Sequence, residues 1–321
     1  MCPVGAQQPA GKRLIALIMA NAEGDPEGEE RVGLFRDRLG EIGWGDGAKT
    51  RTIVRWHGGD LDKARTFARE VVAQSPDVII ANGTQALSAV QQATQSIPVV
   101  FVVVNNPVGG GFVKNLSRPA GNMTGFSTFE PETAGKWVEF IAQLEANITH
   151  AGVLFDPDFQ GFSELLAAIE RTAPSFGIRT IPLRATSVAD IESAVERLSA
   201  QGNAGLIALP TPANTANRRR IFELAAHYRI PAIYPFSSYA RQGGLIAYGF
   251  DSHELFRRAA TYVARILNGE KPGDLPVQAP TTFELIINLK TAEALNLRIP
   301  PTLLARADEV IERPASPATT P

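Results

Sequence analysis

The chain has 321 residues, of which 31 are basic and 33 acidic, and its formal net charge at pH 7 is −2. This length is enough for about two domains of ordinary size, and the near-neutral charge excludes a polybasic protein that coats nucleic acid or a membrane surface. The single cysteine, Cys2, excludes a disulfide framework and a cysteine-rich metal site. No stretch reaches the about 18 apolar residues of a membrane-spanning helix.

The first eleven residues lack hydrophobic periodicity. Val4, Gly5 and Ala6 precede Gln-Gln-Pro, a pattern typical of the end of a secretory signal and the start of a mature chain, although the charged and apolar parts of a signal are missing. We therefore expect an exported protein. The alternative interpretation is an ordinary unstructured N-terminus.

Short apolar runs typical of buried β-strands alternate with amphipathic helical stretches along nearly the whole chain. In the first half the pattern predicts strands at 14–19, 50–56, 77–81 and 99–104, with helices at 27–42, 61–75 and 84–94. A second series has strands at 151–155, 180–183, 205–209, 232–234 and 245–248. This alternation indicates parallel sheets with helices on both faces, and so predicts an α/β protein with two doubly wound, Rossmann-like lobes.

Beyond the second series the pattern predicts a helix at 253–267, an extended stretch at 272–280, a strand at 284–288 and a helix at 290–295. One trailing strand is too little for a third domain. We expect it to return to one of the two lobes, which makes the domains discontinuous in sequence. The residues from 314 onward are rich in Ser, Thr, Pro and Ala, as is typical of a flexible tail.

Motifs of the common enzyme classes are absent from the sequence: it has no P-loop, no nucleophile elbow, no zinc-protease helix and no C-x-x-C. The run 109–111 is Gly-Gly-Gly, which lacks the spacing of a dinucleotide fingerprint. His57, His150, His227 and His253 lie far apart, as is typical of surface or helix-end residues and not of a metal site. The sequence therefore predicts no catalytic residue, no metal and no cofactor.

Ligands of open parallel sheets bind at the carboxyl ends of the strands, where loops and helix N-termini converge. Asn82, Gly83 and Thr84 form the most informative of these loops. Gly83 lets the backbone approach a ligand, and Thr84 stands at a helix N-terminus that favours an anion such as a carboxylate; the alternative is that Thr84 only caps its helix. The other strand-end loops add Asn21, Ala22, Glu23, Asn105, Pro107, Pro210 and Thr211 as candidate ligand-binding residues.

Aromatic and acidic residues lie in or beside the strand-end loops of the second half. The aromatic residues could form the wall of a site for an apolar or aromatic ligand, or they could belong to the core. Asp156 and Asp251 could pair with a ligand ammonium, or they could cap helices. The aromatic candidates are Phe159, Tyr234, Phe236, Tyr239 and Tyr248.

Seven stretches resemble one known family, the periplasmic substrate-binding proteins of ABC transporters, and within it the tryptophan- and tyrosine-type group. The resemblance runs from about Arg13 to Ile311. Where members of the group usually have Ser-Asp-Pro, this chain has Asn105-Asn106-Pro107, which removes a carboxylate from that strand end. The matching stretches are 76–84, 105–113, 121–126, 154–157, 232–236, 243–249 and 305–311.

The resemblance implies a type I periplasmic binding-protein fold. Lobe 1 would comprise 12–125 and 250–278 and lobe 2 would comprise 126–249 and 279–313, with a three-strand hinge near Phe126, Gly249 and Ala279. Phe126 thereby joins the candidate ligand-binding residues.

In function, the resemblance implies a periplasmic, monomeric, non-enzymatic protein that captures a small molecule in the cleft between the lobes. The protein would deliver this ligand to an ABC permease and would bind no nucleic acid. The carboxylate site, the possible ammonium partners and the aromatic residues lead us to expect an amino acid, aromatic or branched, with other small carboxylates as the open alternative.

Three other functions are alternatives to that of a solute-binding protein. A ligand-sensing domain of a signalling system would use the same fold. A repressor effector domain would need a DNA-binding module, for which there is no room before the first strand. A doubly wound enzyme acting on a small carboxylate could use Glu23, Asp25 or His57, although no motif supports it.

Overall fold

The computed structural model describes residues 11–47, 49–128, 131–144, 147–157 and 162–312. Nearly all of the two predicted tails, and the candidate residue Phe159, lie outside these ranges. The twelve strands are β1 Arg13–Met19, β2 Thr50–Trp56, β3 Val78–Asn82, β4 Val99–Val104, β5 Met123–Ser127, β6 His150–Phe155, β7 Arg179–Arg184, β8 Ala204–Ala208, β9 Ala232–Tyr234, β10 Ile246–Gly249, β11 Glu284–Asn288 and β12 Glu309–Ile311.

Helices connect most of these strands. They are α1 Pro26–Glu41, α2 Leu61–Ala73, α3 Gly83–Ala93, α4 Pro131–Leu144, α5 Ser163–Thr172, α6 Val188–Ser199, α7 Pro212–Ala216, α8 Arg218–His227, α9 Ser237–Arg241, α10 Ser252–Leu267, α11 Leu289–Ala294 and α12 Pro301–Leu304. Local signals in the sequence explain where two of them begin. The Asp25 carboxylate accepts hydrogen bonds from the first backbone N–H groups of α1, and Asp60 does the same for α2.

The chain divides into two compact units. Unit 1 comprises residues up to Ser127 together with His253–Gln278, and unit 2 comprises Thr128–Ser252 together with the residues from Ala279 onward. The chain therefore crosses from one unit to the other three times.

Unit 1 is built on a five-stranded parallel sheet in the order β2-β1-β3-β4-β5. One face buries Ala16, Ile18, Ile79 and Ala81 against the apolar residues of α2 and α3. Sheets of this type are covered on both faces, which explains why β3 is buried along its whole length.

The later part of the chain completes unit 1. The Thr124 hydroxyl of β5 donates a 2.6 Å hydrogen bond to the Leu275 carbonyl, and the Gln278 amide donates to the Gly125 carbonyl. In α10, the ring of Tyr262 lies 4.9 Å from that of Phe126. Residues far apart in sequence thus share one core.

Unit 2 has a seven-stranded sheet in the order β12-β11-β10-β9-β8-β6-β7. The trailing strand predicted at 284–288 is β11, and it joins this sheet, as expected. It pairs antiparallel with β10, whereas the other neighbouring strands of this sheet pair parallel.

The sequence pattern did not predict two of the strands, β5 and β12. β5 reads Met-Thr-Gly-Phe-Ser, and its central glycine breaks the run of β-formers. β12 has three residues, and the Arg241 guanidinium holds it through a 2.6 Å ion pair with Glu309. Short strands of this kind depend on partners distant in sequence.

Candidate functional site

The carboxyl ends of all five strands of unit 1 lie at the same edge of its sheet, because the strands are parallel. Asn82 links three of these strand ends. Its side-chain oxygen accepts from the Ala20 amide at 3.2 Å, and its amide group donates to the Val102 carbonyl at 3.4 Å. The candidate loops after β1, β3 and β4 therefore lie side by side, as the sequence predicts, and the buried Asn82 side chain holds them together.

The N-terminus of α3 follows Asn82 directly. Asn82 is the N-cap residue, Gly83 begins the helix with a φ of +84°, and no side chain bonds to the first backbone N–H groups. The alternative that Thr84 caps the helix is wrong, because the helix has already begun before it. Within the described residues no hydrogen bond is made by the Thr84 hydroxyl. An uncapped helix N-terminus beside a glycine suits an anionic group.

Asn21 lies in the loop after β1 and is buried. Its side-chain oxygen accepts from the Arg31 guanidinium at 3.3 Å, and Arg31 forms a 2.6 Å ion pair with Glu27 one turn earlier in α1. Both charged side chains are at most 4% exposed. The neighbouring candidates Ala22 and Glu23 are exposed.

Asn105 and Pro107 follow β4 after an irregularity in that strand. Val103 has a φ of +61°, a conformation that a β-branched residue rarely adopts, and the register between β4 and β5 shifts between Val102 and Val104. Such bulges redirect the residues that follow them. Asn105 is partly exposed and Pro107 is buried.

Sequence reasoning assigned His57 to the surface, or at most to an enzymatic role. The structure places it directly after β2, at the same sheet edge, with a side chain only 1% exposed. Neither ring nitrogen has a hydrogen-bond partner among the described residues, and burial lowers the pKa of the ring to about 4 although Asp60 opposes this change. Its position after a predicted strand was the signal that could have identified it.

In unit 2 the carboxyl ends of β6, β8, β9 and β10 lie at one edge of the sheet. Thr211 is completely buried, and its hydroxyl accepts from the Asn214 amide at the start of α7. The Asn214 side chain donates to the carbonyl of Leu154 in β6 and to that of Leu209, which follows β8. Pro210 precedes this cap. Asn214 was missed by the sequence analysis, although it lies only three residues beyond the candidate Thr211.

The two acidic candidates also lie at this edge. Asp156 directly follows β6 and is 9% exposed. The N-cap of the following helix α5 is Phe162, so capping of α5 does not explain Asp156. The charge of Asp251 helps to raise the pKa of Arg241, whose main cause is its hydrogen bond to Glu309.

Tyr234, Phe236 and Tyr239 belong to one aromatic cluster of unit 2. Phe236 contacts Tyr239 at 5.2 Å and Phe250 at 5.7 Å between ring centroids. Tyr234 packs against Phe222 at 4.8 Å, and burial raises the pKa of its hydroxyl. Core packing thus accounts for the burial of Tyr234.

Two further candidates also have packing partners within the protein. Tyr248 lies against Phe140 and Phe283. Phe126 is completely buried in unit 1, between Tyr262 and the Arg258 guanidinium. Packing explains both positions without a ligand.

No group of three or more His, Cys, Asp or Glu side chains suited to a metal ion occurs among the described residues. None of the described helices is both long enough and apolar enough to cross a bilayer.

Residues 17–311 match the family model described as ABC transporter substrate binding protein. The chain belongs to this family. The substrate-binding protein is accordingly the solute-binding component of an ABC transporter and serves a permease, and it is not an enzyme, which confirms those expectations from the sequence.

Three relatives illustrate the similarity. The tyrosine-binding protein of Clostridioides difficile (strain R20291) is 24% identical over 265 residues, covering 82% of this chain and 76% of the relative. A conserved domain protein from Vibrio cholerae O1 biovar El Tor has a TM-score of 0.86 and 28% identity, covering 94% of this chain and all of the other. An ABC domain in complex with L-Trp from Streptococcus pneumonia has a TM-score of 0.85, 24% identity and the same coverage. The two-lobed α/β fold with two sheets is therefore confirmed.

Proposed function

We propose that this substrate-binding protein captures an amino acid with an aromatic or branched side chain outside the cytoplasm and delivers it to the permease of its transporter. The observation that carries the proposal is the uncapped N-terminus of α3 at Gly83 and Thr84. The backbone N–H groups there and the helix dipole favour the carboxylate that every amino acid carries.

Features of unit 2 also suit an amino acid. Asp156 and Asp251, at strand ends, are the candidate partners of the ligand ammonium. The aromatic cluster around Phe236 and Tyr239 offers apolar rings at the same sheet edge. A relative that is named for tyrosine and a similar structure that holds L-Trp favour an aromatic amino acid over a branched one.

A thermal-shift screen of the purified protein against amino acids, aromatic acids lacking an amino group, sugars and nucleosides tests the proposal. A ligand at 100 times its dissociation constant adds about 2.7 kcal/mol to the free energy of unfolding. We expect a selective rise in Tm with tryptophan or tyrosine.

Two results would count against the proposal. A shift with sugars or nucleosides alone would reject the amino-acid assignment. A flat screen of protein that native mass spectrometry shows to be free of bound small molecules would reject it as well.

A further inference from the structure

His57 is a second feature of unit 1 that points to a ligand, independent of the helix N-terminus. A buried polar atom without a hydrogen bond destabilises the folded protein, so buried polar groups are nearly always paired. The ring of His57 is 1% exposed, and neither of its nitrogens has a hydrogen-bond partner in the part of the chain that the structure describes. A group supplied by a bound molecule would satisfy a nitrogen that the protein leaves unpaired.

The strand register places this ring on the same side of the sheet as the N-terminus of α3. Met19 pairs with Trp56, and the His57 amide continues the ladder by donating to the Met19 carbonyl. Because side chains alternate along a strand, Ala20 and His57 share the face opposite to that of Met19 and Trp56. A Cβ atom at Gly83 would lie 3.7 Å from the Ala20 Cβ, so this shared face is the one on which α3 begins.

Gly83, Ala20 and His57 therefore stand in a row across the ends of β3, β1 and β2. Two strand spacings, about 10 Å, separate the first and last residues of the row.

We propose that the His57 ring accepts a hydrogen bond from the side chain of the bound amino acid, and that the protein thereby prefers rings with an O–H or N–H donor, tyrosine and tryptophan, over phenylalanine. This inference rests on the proposed function. It makes His57 a residue that determines specificity, whereas α3 binds the group common to all amino acids.

Calorimetric titrations with tyrosine, tryptophan and phenylalanine at pH 7.5 test the inference on the full chain. His57→Leu removes both nitrogens at similar volume, and His57→Gln keeps an acceptor. His227→Gln, at the end of α8 in unit 2, is the matched control for loss of an exposed histidine.

We expect the wild-type protein and His227→Gln to bind tyrosine or tryptophan about tenfold more tightly than phenylalanine, which corresponds to about 1.4 kcal/mol. His57→Leu should lose this preference while its affinity for phenylalanine stays within a factor of about two, and His57→Gln should retain part of it. If His57→Leu does not fold, His57→Gln is compared with wild type instead. Its acceptor atom lies at a different position from the ring nitrogens, so its preference for tyrosine or tryptophan over phenylalanine must be smaller than that of wild type.

The inference is overturned if a folded His57 variant keeps the wild-type preference, or if it loses affinity equally for all three amino acids. Binding of all three by wild type without any preference overturns it too, and in each of these cases the proposed function stands. Failure of wild type to bind any amino acid rejects the proposed function and the inference together.

Discussion

At the scale of single residues, the buried ring of His57 makes the stability of the protein sensitive to acid. Burial lowers the pKa of this ring from 6.5 to about 4 in the folded protein. Between these pH values the unfolded chain binds a proton that the folded chain does not, so the contribution is fully present above pH 6.5 and is lost as the pH falls towards 4. The free energy of unfolding should decrease by about 3 kcal/mol over this window because of His57 alone.

Urea unfolding at pH 7, 5.5 and 4.5 measures this effect as the difference between wild type and His57→Gln. The variant should lose less stability on acidification, since the carboxylates that also titrate there are common to both proteins. Parallel pH profiles would show that the folded ring takes up its proton as readily as the unfolded one.

The sequence predicted the position of Gly83 and Thr84 because a buried run followed by a helical pattern marks a strand end. The hydrogen bonds of the Asn82 side chain could not be predicted from the sequence, because the partners at Ala20 and Val102 belong to two other strand regions. The same holds for His57. Its burial results from the packing of neighbouring elements, which a single sequence does not show.

At the scale of elements, Thr124 connects β5 to residues 253–278, the second segment of unit 1. Its buried hydroxyl donates to the Leu275 carbonyl at 2.6 Å. Thr124→Val keeps the shape and leaves this carbonyl without its partner, so the free energy of unfolding should fall by about 1–3 kcal/mol.

Chemical denaturation of Thr124→Val beside Thr66→Val, a substitution at an exposed position of α2, provides the measurement. If Thr124→Val and Thr66→Val have the same free energy of unfolding, water replaces the Thr124 hydroxyl as the donor to the Leu275 carbonyl.

Long, strongly patterned elements such as β1 and α2 lie where the sequence predicts them, because their buried positions repeat at the period of their own secondary structure. The antiparallel pairing of β11 was not predictable in this way. Strand direction depends on the path of the chain between units, which leaves no local pattern in β11 itself.

At the scale of the whole molecule, the threefold crossing makes unit 1 depend on two distant segments. Leu255, Phe256, Ala259 and Val263 of α10 are almost completely buried. A fragment of residues 11–127 lacks this helix and exposes the surface it covers, so we expect the fragment not to fold.

Joining 253–278 to this fragment through a short flexible linker should restore a cooperative thermal transition, measured by circular dichroism. A stable, cooperative fragment 11–127 would contradict the proposal that the two segments form one domain. The order of the segments was expected from the family resemblance, whereas the residues that hold them together became visible only in the structure.

Gly125 and Gly249 stand a few residues before two of the crossings, and neither has room for a side chain. A Cβ atom at Gly125 would overlap the Phe101 carbonyl, and one at Gly249 would overlap the Pro235 carbonyl. Exposed loop positions such as Ala22 and Glu23 carry no such restriction. A library designed to turn this protein into a sensor for a new solute can therefore vary the exposed loop positions at the strand ends, provided that these two glycines and the buried Asn82 and Asn214 side chains are left untouched.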